Sequence, residues 1–172
     1  MTKSIYYVFT FTIFLILFSS CASTSKPIIF NESLPQNEMA TIYYIGGSDN
    51  GRVNIIEYNG NKVNWRAKSS YGKFITIQIP GGNTQFILDG KSSFTIDDWT
   101  ANKRITSTAT YRRVPFVYNF EKGKEYTIEF HSDCISVYAG KPYETRWRYY
   151  MGSPQDLIVR FSMSDGRQRV IN

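Results

Sequence analysis

Hydrophobic and polar positions alternate along most of this chain from residue 39 onward. KFITIQI (73–79) sets Phe74, Thr76 and Gln78 on one face and Ile75, Ile77 and Ile79 on the other. A period of two marks a strand with one buried face. EYTIEFH (125–131) repeats the pattern with Tyr126, Ile128 and Phe130 inward, and RVPFVYNF (113–120) with Val114, Phe116, Tyr118 and Phe120 inward. TIYYI (41–45), RVNIIEY (52–58), VNWRAKS (63–69), QFILD (85–89), ISVYAG (135–140), RWRYYM (146–151), DLIVRFSM (156–163) and RQRVIN (167–172) extend the series. Pro115 cannot donate to a ladder, which predicts an edge strand or a bulge there. Residues 91–110 are rich in Ser and Thr and read as less regular.

Turn chemistry separates these runs. Asn59-Gly60 between two strand patterns is a strong hairpin signal. PGGN (80–83), EKGK (121–124) and Asp165-Gly166 mark further turns. No window holds a helical period beyond two turns. Many short strands with such turns predict an all-β fold, an antiparallel β-sandwich, as one domain over residues 39–172. Within it, residues 132–172 are read as added C-terminal strands.

The N-terminal pattern is different. Residues 5–18 are uncharged, Thr10 and Thr12 being their only polar members, and Lys3 precedes them. That run is short of the roughly 20 residues a membrane-spanning helix needs. It fits the apolar region of a secretory signal, whose small-residue cleavage site follows. Ser19-Ser20-Cys21 resembles the lipobox of a bacterial lipoprotein signal, with Phe18 where Leu is usual. The resemblance implies cleavage after residues 1–20, a diacylglycerol thioether on Cys21, and acylation of the new amine. Each buried methylene contributes about 0.8 kcal/mol, and two or more chains hold stably where one does not. The alternative is an uncleaved anchor helix. Ala22, rather than an acidic residue, leans toward the outer membrane. Residues 21–38 contain two prolines and no sustained period and read as a flexible tether, with docking of Ile28-Ile29-Phe30 on the domain as the alternative.

TIYYIGG, NGNKV, the PGG turn and EKGKEYTIEF occur in that order. Together they resemble small bacterial envelope lipoproteins of unknown function with a PEGA-like (prealbumin-like) β-sandwich. In that resemblance Asn59-Gly60-Asn61-Lys62 takes the family's Asp-Gly-Lys hairpin place. Pro80-Gly81-Gly82-Asn83 takes the second turn, and residues 123–128 the last. It covers residues 40–130 and implies a fold and an envelope location. It carries no catalytic residues and no cofactor.

Charge narrows the partners. The chain carries +6, and removal of Lys3 with the signal leaves +5. The basic residues are scattered rather than massed in a stripe, which argues against nucleic acid as a partner. With Cys21 lipidated, Cys134 has no disulfide partner and reads as a small buried residue, a reactive thiol being the sharper alternative.

Candidate chemistry is sparse. His131 is the only histidine and shares a polar strand face with Thr127 and Glu129. It reads as a surface residue at a strand end. One histidine and one thiol near each other fall short of the three or four ligands of a zinc site, so no metal is assigned. Asp97-Asp98 reads as part of a solvated loop rather than as a catalytic carboxylate pair. YETRWRYYM (143–151), read as a strand, sends Trp147, Tyr149 and Met151 inward to the core. Its other face offers Arg146, Arg148 and Tyr150 as a surface for glycan, an acidic protein or lipid headgroups. Trp65 and Trp99 read as packing residues.

Three functions fit these features. The first is a membrane-anchored envelope lipoprotein acting as a non-catalytic binding or structural module. The second is an envelope enzyme acting on glycan, with residues scattered in sequence. The third is an inhibitor or immunity-type lipoprotein presenting a protruding loop from residues 91–109.

Overall fold

Alternation becomes a layer in the strand Ile75–Pro80, where Ile77 and Ile79 are fully buried and Thr76 and Gln78 face away from them. The computed structural model describes residues 26–48, 51–67, 72–98, 103–131, 133–147 and 149–163. Thirteen strands lie among them, β1 (Ile28–Ile29), β2 (Met39–Ile45), β3 (Gly47–Ser48), β4 (Gly51–Tyr58), β5 (Asn61–Trp65), β6 (Ile75–Pro80), β7 (Gly82–Asp98), β8 (Lys103–Phe120), β9 (Glu125–His131), β10 (Cys134–Ala139), β11 (Tyr143–Glu144), β12 (Tyr150–Met151) and β13 (Leu157–Ser162).

They form an all-β sandwich. One sheet runs β1-β6-β2-β9-β10-β13, and the facing sheet runs β3-β4-β7-β8 with β5 also on β4. The first sheet is mixed rather than wholly antiparallel, since β1 lies parallel to β6 and β2 parallel to β9. Parallel neighbours need a long connection. Here the second sheet itself lies within the connection from β2 to β9.

The core fills the space between the sheets. Ile42, Tyr44, Ile128, Phe130, Ile135 and Val137 face Val53, Ile55, Phe86, Leu88, Phe116 and Phe120. Phe86 lies at its centre, stacked on Phe116 at 6.2 Å and within 6.3 Å of Tyr58, Trp65 and Phe120. The inward residues expected of β9 and β6 are those found, and Trp65 packs in the core as expected. Asn59 and Gly60 adopt φ 45° and 79° between β4 and β5, the left-handed pair that a two-residue hairpin turn requires. Pro115 sits on β8, at the edge of its sheet, two residues after a bulge at Arg113, whose φ is 51°. Arg113 also grips the Glu57 carboxylate with two hydrogen bonds of 2.8 and 2.9 Å.

Two expectations are corrected. Residues 91–98 and 103–110 are not irregular: they belong to β7 and β8, which pair from Gly82↔Phe120 to Asp98↔Lys103 with one register shift between Leu88 and Gly90. Asp97-Asp98 therefore belongs to a strand, not a loop. Threonine is β-branched and favours extended backbone without needing a buried face, so this ribbon lacks the hydrophobic alternation of the core strands. The stretch YETRWRYYM is not one strand either. It is a hairpin of β11 and β12 closed by a turn, with Thr145 N–H donating to the Tyr149 carbonyl at 2.8 Å. Trp147, expected in the core, is 64% exposed at that turn.

Residues 26–38 meet the domain. Ile28 and Ile29 pair with Ile77 and Gln78, and the Phe30 ring lies 4.1 Å from that of Tyr58. This is the docked arrangement of Ile28-Ile29-Phe30. The Asp165-Gly166 turn, the RQRVIN strand and Trp99 lie outside the described residues.

Candidate functional site

The outer face of the six-stranded sheet is mostly covered. Alternation points Tyr43, Ile45, Thr127, Ser136 and Tyr138 away from the sandwich core, yet all five are buried. Residues 141–156 fold back over them as a third layer. Tyr150 packs edge-on against Phe74 at 5.0 Å, and its N–H donates to the Gly72 carbonyl at 2.8 Å. The Thr127 hydroxyl donates to the Gly140 carbonyl at 2.9 Å, satisfying a buried polar group.

The cover is incomplete over β9, β10 and β13. There a cleft of about 500 Å³ opens between the sheet and residues 151–157. That volume lies in the range that holds small ligands. Register builds its floor: Ser136 stands opposite Glu129 on one side and opposite Arg160 on the other. The Arg160 Nε–H donates to the Ser136 hydroxyl at 3.1 Å, which fixes the guanidinium. The Gly152 N–H donates to a Glu129 carboxylate oxygen at 3.1 Å, tying the cover to the floor. Tyr138, Met151, Pro154 and Leu157 supply apolar wall.

Glu129 is set into the floor of this cleft. Burial raises its pKa above the ordinary carboxylate range, opposed by the Gly152 amide and by the charges of His131 and Arg160. Cys134 lines the same cleft. Burial, with the neighbouring Asp133 carboxylate that its thiol contacts at 3.3 Å, pushes its pKa up to about 11. A thiol so shifted is a poor nucleophile, which favours the structural reading of Cys134 over the reactive one. His131 is exposed at the end of β9, as expected. Among the described residues no group of three or more His, Cys, Asp or Glu is placed to hold a metal.

The structure does not unite the residues singled out on the aromatic-basic stretch. Arg146 is exposed on the β11–β12 turn, its guanidinium 4.7 Å from the Trp147 ring. Tyr150 is half-buried against Phe74 and acts as a strut for the cover, its hydroxyl 3.5 Å from Glu144. Arg148 and Cys21 lie outside the described residues. Arg160, Ser136 and Gly152 were missed as site residues. Their alternation is legible in DLIVRFSM and ISVYAG, but the side-by-side placement of β9, β10 and β13 depends on pairing register. Comparison with protein-family models, with curated proteins and with solved structures finds no match for this chain.

Proposed function

We propose that this chain is a membrane-anchored envelope lipoprotein, related to the PEGA-like sandwich lipoproteins, that acts as a binding module. The lipobox-like Ser19-Ser20-Cys21 after an apolar run supports the anchor. The observation that carries the binding role is the cleft over β9, β10 and β13, with Glu129 and a fixed Arg160 on its floor. A half-buried acid and an oriented cation on either side of Ser136, walled by Tyr138 and Met151, suit a polar ligand with both hydroxyl and apolar surface, such as a glycan.

A photo-crosslinking side chain at Leu157, in the cleft wall, tests this in cells against the same group at Asn61, the first residue of β5 after the remote β4–β5 turn. The reading expects an envelope component, glycan or protein, captured at Leu157 and not at Asn61. Identical capture at both sites overturns it. Palmitate incorporation that survives Cys21→Ala overturns the anchor.

A second reading, an envelope enzyme acting on glycan, draws on the raised pKa of Glu129 and on Asp133 lining the same cleft. A general acid needs such a shift. Glycan turnover abolished by Glu129→Gln would favour it over the binding role.

A further inference from the structure

The entry of the chain at residues 26–28 and the far end of the β7–β8 ribbon share one end of the sandwich. β1 runs parallel to β6, so the chain before Ile28 heads toward the Ile75 end of that strand. Ile75 pairs with Tyr44 near the end of β2, and the Tyr44 hydroxyl donates to the Val53 carbonyl at 3.0 Å. The Val53 N–H in turn donates to the Gly46 carbonyl at 2.7 Å. Val53 pairs with Gly90, and Gly90 with Tyr111. At that level the two sheets end together. Beyond Ser92, the last residue of β7 paired to β4, β7 and β8 continue alone as a two-stranded arm to Asp98↔Lys103.

The lengths match. The arm extends six residues past Ser92, about 20 Å at strand rise. From Lys26 back to Cys21 the chain has five residues, at most ~18 Å. An acylated Cys21 therefore holds this end of the domain no farther from the lipid than the arm itself reaches. Five exposed cations surround the root of the arm and the entry of the chain: Lys26, Arg52, Lys73, Lys91 and Arg112. They suit an anionic headgroup layer. Within the arm, register sets Asp97 opposite Arg104 and Asp98 opposite Lys103. Thr106, Ser107 and Thr108 are exposed along it.

We infer that the β7–β8 arm is a second membrane contact, lying against the anionic lipid surface to which Cys21 holds the chain. The inference rests on the anchor proposed above. It makes the arm a prop that fixes the orientation of the sandwich and turns the remote Asn59-Gly60 end away from the bilayer.

The test uses the acylated full-length chain in vesicles of phosphatidylcholine and phosphatidylglycerol. An environment-sensitive dye is placed at Ser107→Cys, or for comparison at Asn61→Cys, both with Cys134→Ser. A quencher carried on the lipid headgroup should dim the Ser107 dye severalfold more than the Asn61 dye, and aqueous iodide should do the reverse. Equal quenching at both sites, in a chain that floats with the vesicles, overturns the inference while the anchor stands. A Ser107 dye shielded from both quenchers reports contact between chains and also overturns it. Dye coupling at a free Cys21 defeats the anchor, and the inference falls with it.

Discussion

The Gly152 amide hydrogen-bonds the Glu129 carboxylate at 3.1 Å, and the same glycine lies flat against the Tyr138 ring. A Cβ on Gly152 would fall 2.2 Å from that ring. One residue of the cover thus makes both its polar and its apolar closure onto the sheet, at the lip of the cleft.

Gly152→Ala should separate cover from sheet. Tyr138 is buried and packed, so the clash is expected to cost about 1–3 kcal/mol. Hydrogen exchange should accelerate across residues 141–156 while β2 and β6 keep their protection. Uniform acceleration over the whole chain would show that the cover is not a separate layer.

Glu129 should make stability depend on pH. Burial raises its folded pKa, so the folded state favours the protonated acid. Its contribution is present below the ordinary carboxylate pKa and is lost as pH rises through the folded value. Glu129→Gln keeps an acceptor for Gly152 and removes that loss. The variant is expected to melt above the parent at about pH 7 and to gain nothing at about pH 3. A difference independent of pH would assign its effect to packing.

Two aromatic truncations should differ sharply. Phe86 is wholly buried among four rings, and Phe86→Ala is expected to cost about 3–5 kcal/mol in urea unfolding. Trp147 is mostly exposed, and Trp147→Ala should change stability by no more than ~0.5 kcal/mol. A large loss at Trp147 would mean that this turn packs against something in solution.

Cys134 should resist thiol reagents. A pKa raised from 9.0 to about 11 leaves roughly 100-fold less thiolate at a given pH. Reaction with an aromatic disulfide at about neutral pH should be slower by roughly 10-fold or more in the folded chain than in urea, since the greater nucleophilicity of a more basic thiolate offsets part of the loss of thiolate. Comparable rates would place the thiol in open solvent.

What the sequence determined by itself is local. Period-two alternation named the inward residues Ile77, Ile79, Ile128 and Phe130, because side chains of a strand alternate whatever the strand pairs with. Asn59-Gly60 named its turn, because only certain residues accept left-handed backbone at low cost. Tertiary structure decided what depends on neighbours. The size of Trp147 and the strand pattern around it point to the core, but Phe86 and the rings around it fill that core, and the short β11–β12 hairpin leaves Trp147 outside. Residues 93–98 and 103–108 lack the alternation of the core strands because a ribbon of two strands has no inside to mark. Glu129, Ser136 and Arg160 come from three strands whose adjacency is a matter of register, and a hydrogen bond from Gly152, 23 residues away from Glu129, completes their setting. No spacing along the chain encodes that meeting, because pairing across a sheet is chosen by the whole buried face at once.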